Sequence, residues 1–127
     1  MLFGGAIPIL PGKTERARRF AEELSPHRAE YEALNEKYGV TGNAIWISHS
    51  RDTRDLYVNV YEVAPGSPPM SERVWDPEGS AYDRWWVEWV RDVLGVDMTK
   101  ERTFAAPPER IFEWRADQRA ERRTDLP

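Results

Sequence analysis

The alternation of apolar and polar positions predicts strands and helices over the first third of the chain. Residues 2–9 form a short apolar run that a Pro-Gly turn signal ends, which is typical of a strand. From Lys13 onward, apolar side chains recur at helical spacing. The Ser25–Pro26 pair interrupts that pattern, so the helix either kinks or restarts there before Gly39 ends it.

Two β-rich runs follow, Ala44–Ser48 and Leu56–Val63, and the polar segment between them predicts a hairpin. We predict a turn centred on Asp52–Thr53, which sets the register and gives the hairpin an aliphatic face and an aromatic face. The aliphatic face would carry Ile45, Ile47, His49, Leu56, Val58 and Val60. The aromatic face would carry Ala44, Trp46, Ser48, Tyr57, Asn59 and Tyr61.

The strongest helical signal lies in Ser80–Leu94, after a connection rich in Pro, Gly and Ser. Aromatic and aliphatic side chains there keep a 3.6-residue period, Ser80 and Asp83 resemble a capping box, and Gly95 ends the pattern. Arg110–Trp114, which follows a proline pair, predicts a final strand.

The predicted element order, β-α-β-β-α-β, is that of an α+β domain with the ferredoxin-like fold and a four-stranded antiparallel sheet. The 127 residues suit one domain of this kind. We assign residues 1–115 to the domain and expect the polar residues 116–127 to form a disordered C-terminal tail.

Composition narrows the classes of function. The chain has no cysteine, which excludes disulfides, thiolate metal sites and cysteine nucleophiles. Its net charge of −4 argues against a nucleic-acid partner, and no apolar run approaches a membrane span. No histidine spacing typical of metal ligands is present, so no metal is predicted. We therefore expect a cytoplasmic protein without a nucleic-acid or membrane partner.

Three short motifs resemble a known superfamily: Pro11-Gly12-Lys13 after the first strand, Val60-Tyr61-Glu62-Val63 at the end of the hairpin, and Asp83-Arg84-Trp85-Trp86 in the last helix. With the element order over residues 1–115, they resemble the dimeric α/β-barrel superfamily and its antibiotic-biosynthesis-monooxygenase-like proteins. The resemblance implies that the sheets of two subunits pack face to face. It also implies a cavity between sheet and helices, used to oxidise phenols without a cofactor, to cyclise polyketides or to degrade haem.

The predicted aromatic face of the hairpin supplies the first candidate site. Asn59, Tyr57 and Trp46 carry donors that could stabilise a developing oxyanion, and Tyr61 would contact the same substrate. The alternative is that this face is a dimer interface or an ordinary core. Trp86 and Trp89 in the last helix could wall the pocket, or could be core residues at helical spacing.

The two histidines are the candidate proton acceptors. His49 lies near Asp52 and Asp55 in the turn, and a carboxylate-oriented His is a common general base. His27 follows the helix interruption, with Tyr31 one turn further on as a possible substrate contact. Each could equally be an ordinary surface residue.

The leading expectation is a small cofactor-independent enzyme, an oxygenase, cyclase or isomerase, acting on an aromatic or polyketide-like small molecule. Two alternatives stay open. One is a non-catalytic homodimeric ligand-binding or accessory protein. The other is a haem-binding or haem-degrading protein, for which His27 and His49 are the available axial ligands.

Overall fold

Three strands form an antiparallel sheet, in which the last strand along the chain lies between the other two. The computed structural model describes residues 2–68, 70, 73, 75–100 and 109–117. The strands are β1 (Leu2–Pro8), β2 (Val40–Ser48) and β3 (Leu56–Val63). Because β3 lies antiparallel between β1 and β2, the first half of the chain is a split β-α-β unit. The predicted α+β class is confirmed.

The helical segment between β1 and β2 restarts at the predicted interruption. It consists of α1 (Thr14–Arg18), α2 (Phe20–Leu24), a 3-10 turn (Ser25–His27) and α3 (Arg28–Lys37). Pro26 has no backbone N–H to donate, so the α-helical hydrogen-bond pattern is interrupted there, although Ser25 keeps helical angles of φ −47° and ψ −45°.

The last helix, α4 (Ala81–Leu94), begins and ends as its sequence predicts. The Ser80 hydroxyl accepts a hydrogen bond from the Asp83 backbone N–H, and Gly95 adopts the left-handed conformation with φ 71°. Its buried face packs on the inner face of the sheet, through the fully buried Trp89 and Tyr57. Burying one such side chain contributes about 1.5–3 kcal/mol, so this contact is a large part of the core.

The predicted hairpin register is wrong by one residue. Ser48 pairs with Leu56, so the turn is centred on Asp52 and Ile45 lies opposite Asn59. The Asp55 carboxylate accepts a hydrogen bond from Thr14 and its carbonyl accepts one from the Ile9 N–H. β3 starts at Leu56, as predicted, but β2 ends at Ser48. The Ser50 N–H donates to the Asp55 carboxylate, so the chain has already entered the turn there and His49 does not pair with Leu56.

The corrected register exchanges the partners on the two faces. Ile45 and Ile47 share the inner, helix-covered face with Tyr57 and Asn59, whereas Trp46 lies opposite Val58 on the outer face. Trp46 is 54% exposed there. The prediction that Trp46 shares a face with Tyr57 and Asn59 is therefore wrong.

The predicted fourth strand is not present in the structure. Arg110–Trp114 has no β pairing among the described residues, and Ile111 and Phe112 are 91% and 79% exposed. Residues 101–108 of the predicted domain, and 118–127 of the predicted tail, lie outside the described residues. The fold shown is a three-stranded sheet covered on one face by helices.

An ion-pair network ties α1 and α2 to α4. The Arg16 guanidinium, 20% exposed, contacts Glu23 at 3.0 Å, Glu88 at 2.7 Å and Asp92 at 2.7 Å. Lys13 lies 2.9 Å from Asp92. One guanidinium thus holds three carboxylates that would otherwise repel one another across two helical elements.

The network lowers the pKa of two of its carboxyls. Burial raises the pKa of Glu23, but the hydrogen bonds and charge of Arg16 outweigh that effect and hold it below its ordinary value. Hydrogen bonds from Lys13 and then Arg16 lower the pKa of Asp92. Folded pKa values below the unfolded ones stabilise the fold above pH ~4, and this stabilisation is lost as the pH falls through the folded values.

Replacing Arg16→Ala is expected to lower the free energy of unfolding by about 1 kcal/mol at neutral pH, because three carboxylates lose their shared cation. The loss should shrink as pH falls below ~4, where the carboxyls become protonated. Urea unfolding of both proteins between pH 3 and 7 measures it. Arg28→Ala, which breaks the exposed Arg28–Glu32 pair, is the control and should change stability by less than ~0.5 kcal/mol. Equal losses for the two variants would contradict the network.

Candidate small-molecule pocket

A partly open cavity of about 110 Å³ lies between the inner face of the sheet and the helices. Aromatic and aliphatic side chains make most of its wall, and amides and one guanidinium supply its polar groups. The apolar and aromatic lining residues are Phe20, Tyr31, Leu34, Val40, Ile45, Tyr57, Tyr61, Met70, Trp75, Tyr82, Trp86 and Met98. The polar lining residues are Asn35, Asn43, Asn59 and Arg73.

A chain of hydrogen bonds crosses the sheet side of the cavity. The Tyr31 hydroxyl donates to Asn43 Oδ1 at 2.8 Å, and Asn43 Nδ2 donates to Asn59 Oδ1 at 2.7 Å. Asn43 Nδ2 also lies 3.0 Å from the Val60 carbonyl. The side-chain oxygen of Asn59, Oδ1, thereby already accepts a hydrogen bond from the protein. Its amide nitrogen has no acceptor among the described residues, so it is a donor that a ligand can use.

Arg73 supplies the charged group of the pocket. Its guanidinium carbon lies 4.5 Å from the centroid of the Trp75 ring, and Nη2 donates to Asp83 Oδ1 at 2.6 Å. The side chains of Arg73 and Asp83 are 18% and 11% exposed. The Trp75 ring on one face of the guanidinium and the Asp83 carboxylate at Nη2 fix its orientation.

The wall formed by α4 and the segment before it is a cluster of tilted and stacked rings. Trp75 contacts Tyr82 and Trp86 at centroid distances of 6.1 and 6.0 Å. Trp86 stacks on Trp89 at 5.8 Å with an interplanar angle of 9°. Offset stacking of this kind holds large flat side chains in fixed positions. Trp86 is thus both a core residue and a wall of the cavity.

Burial keeps three tyrosines of the cavity, Tyr57, Tyr61 and Tyr82, in the protonated form. Burial is the main cause that raises the pKa of Tyr57, of Tyr82 and of Tyr61 above the ordinary value of a phenol. At neutral pH these side chains are therefore neutral phenols and not phenolate bases.

A carboxylate fastens α3 to the start of α4 and so joins two walls of the cavity. Glu30 Oε2 accepts a hydrogen bond from the Tyr82 backbone N–H at 3.0 Å. Hydrogen bonds from the Ser80 hydroxyl and then from Tyr82 lower the pKa of Glu30. The negative charge of the ionised carboxylate also stabilises the N-terminal end of α4, where backbone N–H groups lack helical acceptors.

Five of the predicted site residues line one cavity: Tyr31, Tyr57, Asn59, Tyr61 and Trp86. Trp89 is fully buried behind Trp86 and does not line it. Trp46 lies on the opposite face of the sheet, for the reason given with the register.

The structure places neither histidine in the cavity lining. His49 is 61% exposed in the hairpin turn, with Nδ1 3.4 Å from Asp55 Oδ1. The predicted carboxylate neighbour is present, but Asp55 also binds Thr14 and the Ser50 N–H. His27 stacks on Trp85 at 5.4 Å and lies 6.5 Å from the Tyr82 ring, so it is next to a lining residue without lining the cavity itself.

Sequence reasoning missed Asn43 and Arg73. Asn43 could have been found from the register, because it lies directly opposite Tyr61 once Ser48 pairs with Leu56. Arg73 lies in the Pro- and Gly-rich connection, where no periodicity indicates which side chain turns inward. Trp75 lies in the same connection.

Comparison with models of known protein families, with curated proteins and with solved structures finds no match. The fold and the pocket are therefore interpreted from this chain's own residues. No helix in the described part of the chain is long and apolar enough to cross a bilayer. Among the same residues, no cluster of three or more His, Asp or Glu side chains could hold a metal ion.

Proposed function

We propose that this protein binds a small aromatic molecule in the cavity between its sheet and its helices. The observation that carries the proposal is the cavity itself, walled by rings and supplied with a few N–H donors. Apolar walls with a small number of placed polar groups are typical of small-molecule sites. A cavity of about 150 Å³ is known to hold a benzene ring. At about 110 Å³ and partly open, this cavity suits a single ring whose substituent extends towards the opening, and it is too small for a polycyclic polyketide.

Phenol is expected to bind here, and filling the cavity should abolish binding. Leu34→Trp places a large ring in the lining and should weaken binding at least ~10-fold, since the ligand would lose its space. Saturation-transfer NMR and calorimetry measure the affinity. Ala33→Trp, on the exposed side of the same helix, is the matched control and should bind as the wild type does. Ile45→Phe is a milder filling variant if Leu34→Trp lowers stability too far. Equal affinity in the filled and control variants would contradict this location.

A cofactor-independent enzyme, an oxygenase, cyclase or isomerase, is the second candidate function. The Tyr31–Asn43–Asn59 chain supports it, because it leaves the Asn59 amide nitrogen available to stabilise a developing oxyanion. No histidine or carboxylate lines the cavity among the described residues, so the proton acceptor proposed from the sequence is lacking there. This is why we place binding first. Haem has even less support, because neither histidine reaches the cavity as an axial ligand.

If the protein is an enzyme, a panel of phenols and quinols incubated with it in air should yield new products by mass spectrometry. Asn59→Ala should then lower turnover at least ~10-fold while changing ligand affinity much less, because the lost donor acts mainly on the developing charge. Asn35→Ala, at another amide of the lining, is the control. Products formed equally fast by Asn59→Ala would remove Asn59 from the chemistry.

We also propose that two copies pair through the outer face of the sheet, as the resemblance to dimeric α/β barrels implies. Trp46 is exposed there, and Val58 and Val60 beside it are only half-buried. An apolar sheet face of this kind is unfavourable in water and commonly marks an interface. The exposed apolar segment Ile111–Trp114 could complete the sheet as the fourth strand when the dimer forms.

Sedimentation or light scattering is expected to find a dimer. Val58→Glu should convert it to a monomer, because a carboxylate would be buried without a partner in the interface. Ala33→Glu, on the helix-covered side of the molecule, should leave the dimer intact. A wild-type monomer at tens of micromolar, or a dimer insensitive to Val58→Glu, would contradict this interface.

A further inference from the structure

Arg73 has a buried N–H donor for which the described residues supply no acceptor. Its Nη2 is occupied by Asp83, but its Nε is buried and has no acceptor among the described residues. A buried N–H without an acceptor is costly, and more so on a charged group. Because Arg73 lines the cavity, a ligand in that cavity is the natural source of the missing acceptor.

Asn59 also presents a donor to the cavity, whereas the Asn35 amide, which lines it too, carries both a donor and an acceptor. The Asn43 and Asn59 oxygens already accept hydrogen bonds inside the protein, and the Asn59 amide nitrogen lacks an acceptor among the described residues. The buried tyrosines stay protonated because their pKa values are raised. The pocket therefore favours a ligand that accepts hydrogen bonds over one that donates them.

The charge of Arg73 is already balanced. Asp83 lies 2.6 Å away and is mostly buried, so the pair carries no net charge. An anionic ligand at Arg73 would place a second negative charge beside one cation in a site of low dielectric, which is unfavourable. A neutral acceptor meets the unused N–H without that cost.

We infer that the pocket selects a neutral single-ring aromatic compound with a carbonyl substituent, whose oxygen accepts a hydrogen bond from Arg73 Nε. This inference rests on the proposed function and names its ligand class. Aryl ketones, aldehydes and amides share this chemistry. Trp75 stacks on the guanidinium from one side and so keeps its donor edge in place for the carbonyl.

Three compounds of similar size separate the possibilities: acetophenone, benzoate and ethylbenzene. Titration followed by 1H–15N NMR gives each affinity and includes the Arg73 Nε–H signal. Acetophenone is expected to bind about 10-fold more tightly than ethylbenzene, the effect of one hydrogen bond to a charged group, and to shift the Arg73 Nε–H resonance. Benzoate is expected to bind more weakly than acetophenone.

Variants assign that preference to Arg73. Removing Arg73 alone would leave Asp83 as a buried uncompensated charge, so both are replaced together as Arg73→Met with Asp83→Leu. This double variant should bind ethylbenzene as before and lose the 10-fold advantage of acetophenone. Arg84→Met, at an exposed position of α4 next to Asp83, is the control and should keep the preference for acetophenone. If the double variant does not fold, Arg73→Lys keeps a cation beside Asp83 and should lose most of the preference.

The outcomes separate this inference from the proposed function. Equal binding of acetophenone and ethylbenzene by the wild type would overturn the inference and leave an aromatic pocket. Tightest binding of benzoate would overturn the neutral ligand class. A preference for acetophenone that persists in the double variant would show that Arg73 is not its source. If none of the compounds binds, the proposed function itself fails.

Discussion

The packing of α4 on the inner face of the sheet is the interaction on which the rest of this structure depends. Trp89 inserts fully buried against Tyr57, and Phe20 meets Trp89 edge-on at 5.1 Å, so sheet, α2 and α4 share one aromatic contact. The cavity adjoins this contact, because Tyr57 and Phe20 also line it. The cavity is the space that remains, and Trp86 belongs to both parts. The hydrophobic core and the wall of the cavity therefore share the same side chains.

Polar contacts then decide what that space can do. The Asn43 bridge uses up acceptors on the sheet side, and the Arg73–Asp83 pair neutralises the only guanidinium seen among the described lining residues. What is left over is a set of N–H donors in a mostly apolar wall. Such a site is better suited to hold a ring and polarise an oxygen on it than to remove a proton. For this reason we propose ligand binding ahead of catalysis.

Local patterns predicted the first three strands and the helices, because each carries its own signal, whereas the predicted strand Arg110–Trp114 has no β pairing among the described residues. The Ser80 cap, the 3.6-residue period and Gly95 define α4, and the restart at Ser25–Pro26 follows from proline chemistry. The register was wrong because it depends on whether Ser48 or His49 pairs with Leu56, and the polar turn carries no local pattern that distinguishes the two. The shift of one residue in the register places Trp46 on the outer face of the sheet, away from the cavity. Arg73 could not be foreseen, since an irregular connection has no period from which an inward direction can be inferred.

The most direct test is a crystal structure of the protein grown with 4-bromophenol, with the bromine located by its anomalous signal. The account predicts a bromine peak inside the cavity, with the ring between Trp86 and the β2–β3 face of the sheet and beside Asn59. A cavity closed by the protein's own side chains, or bromine found only at other places on the molecule, would contradict the claim that this space is a ligand site.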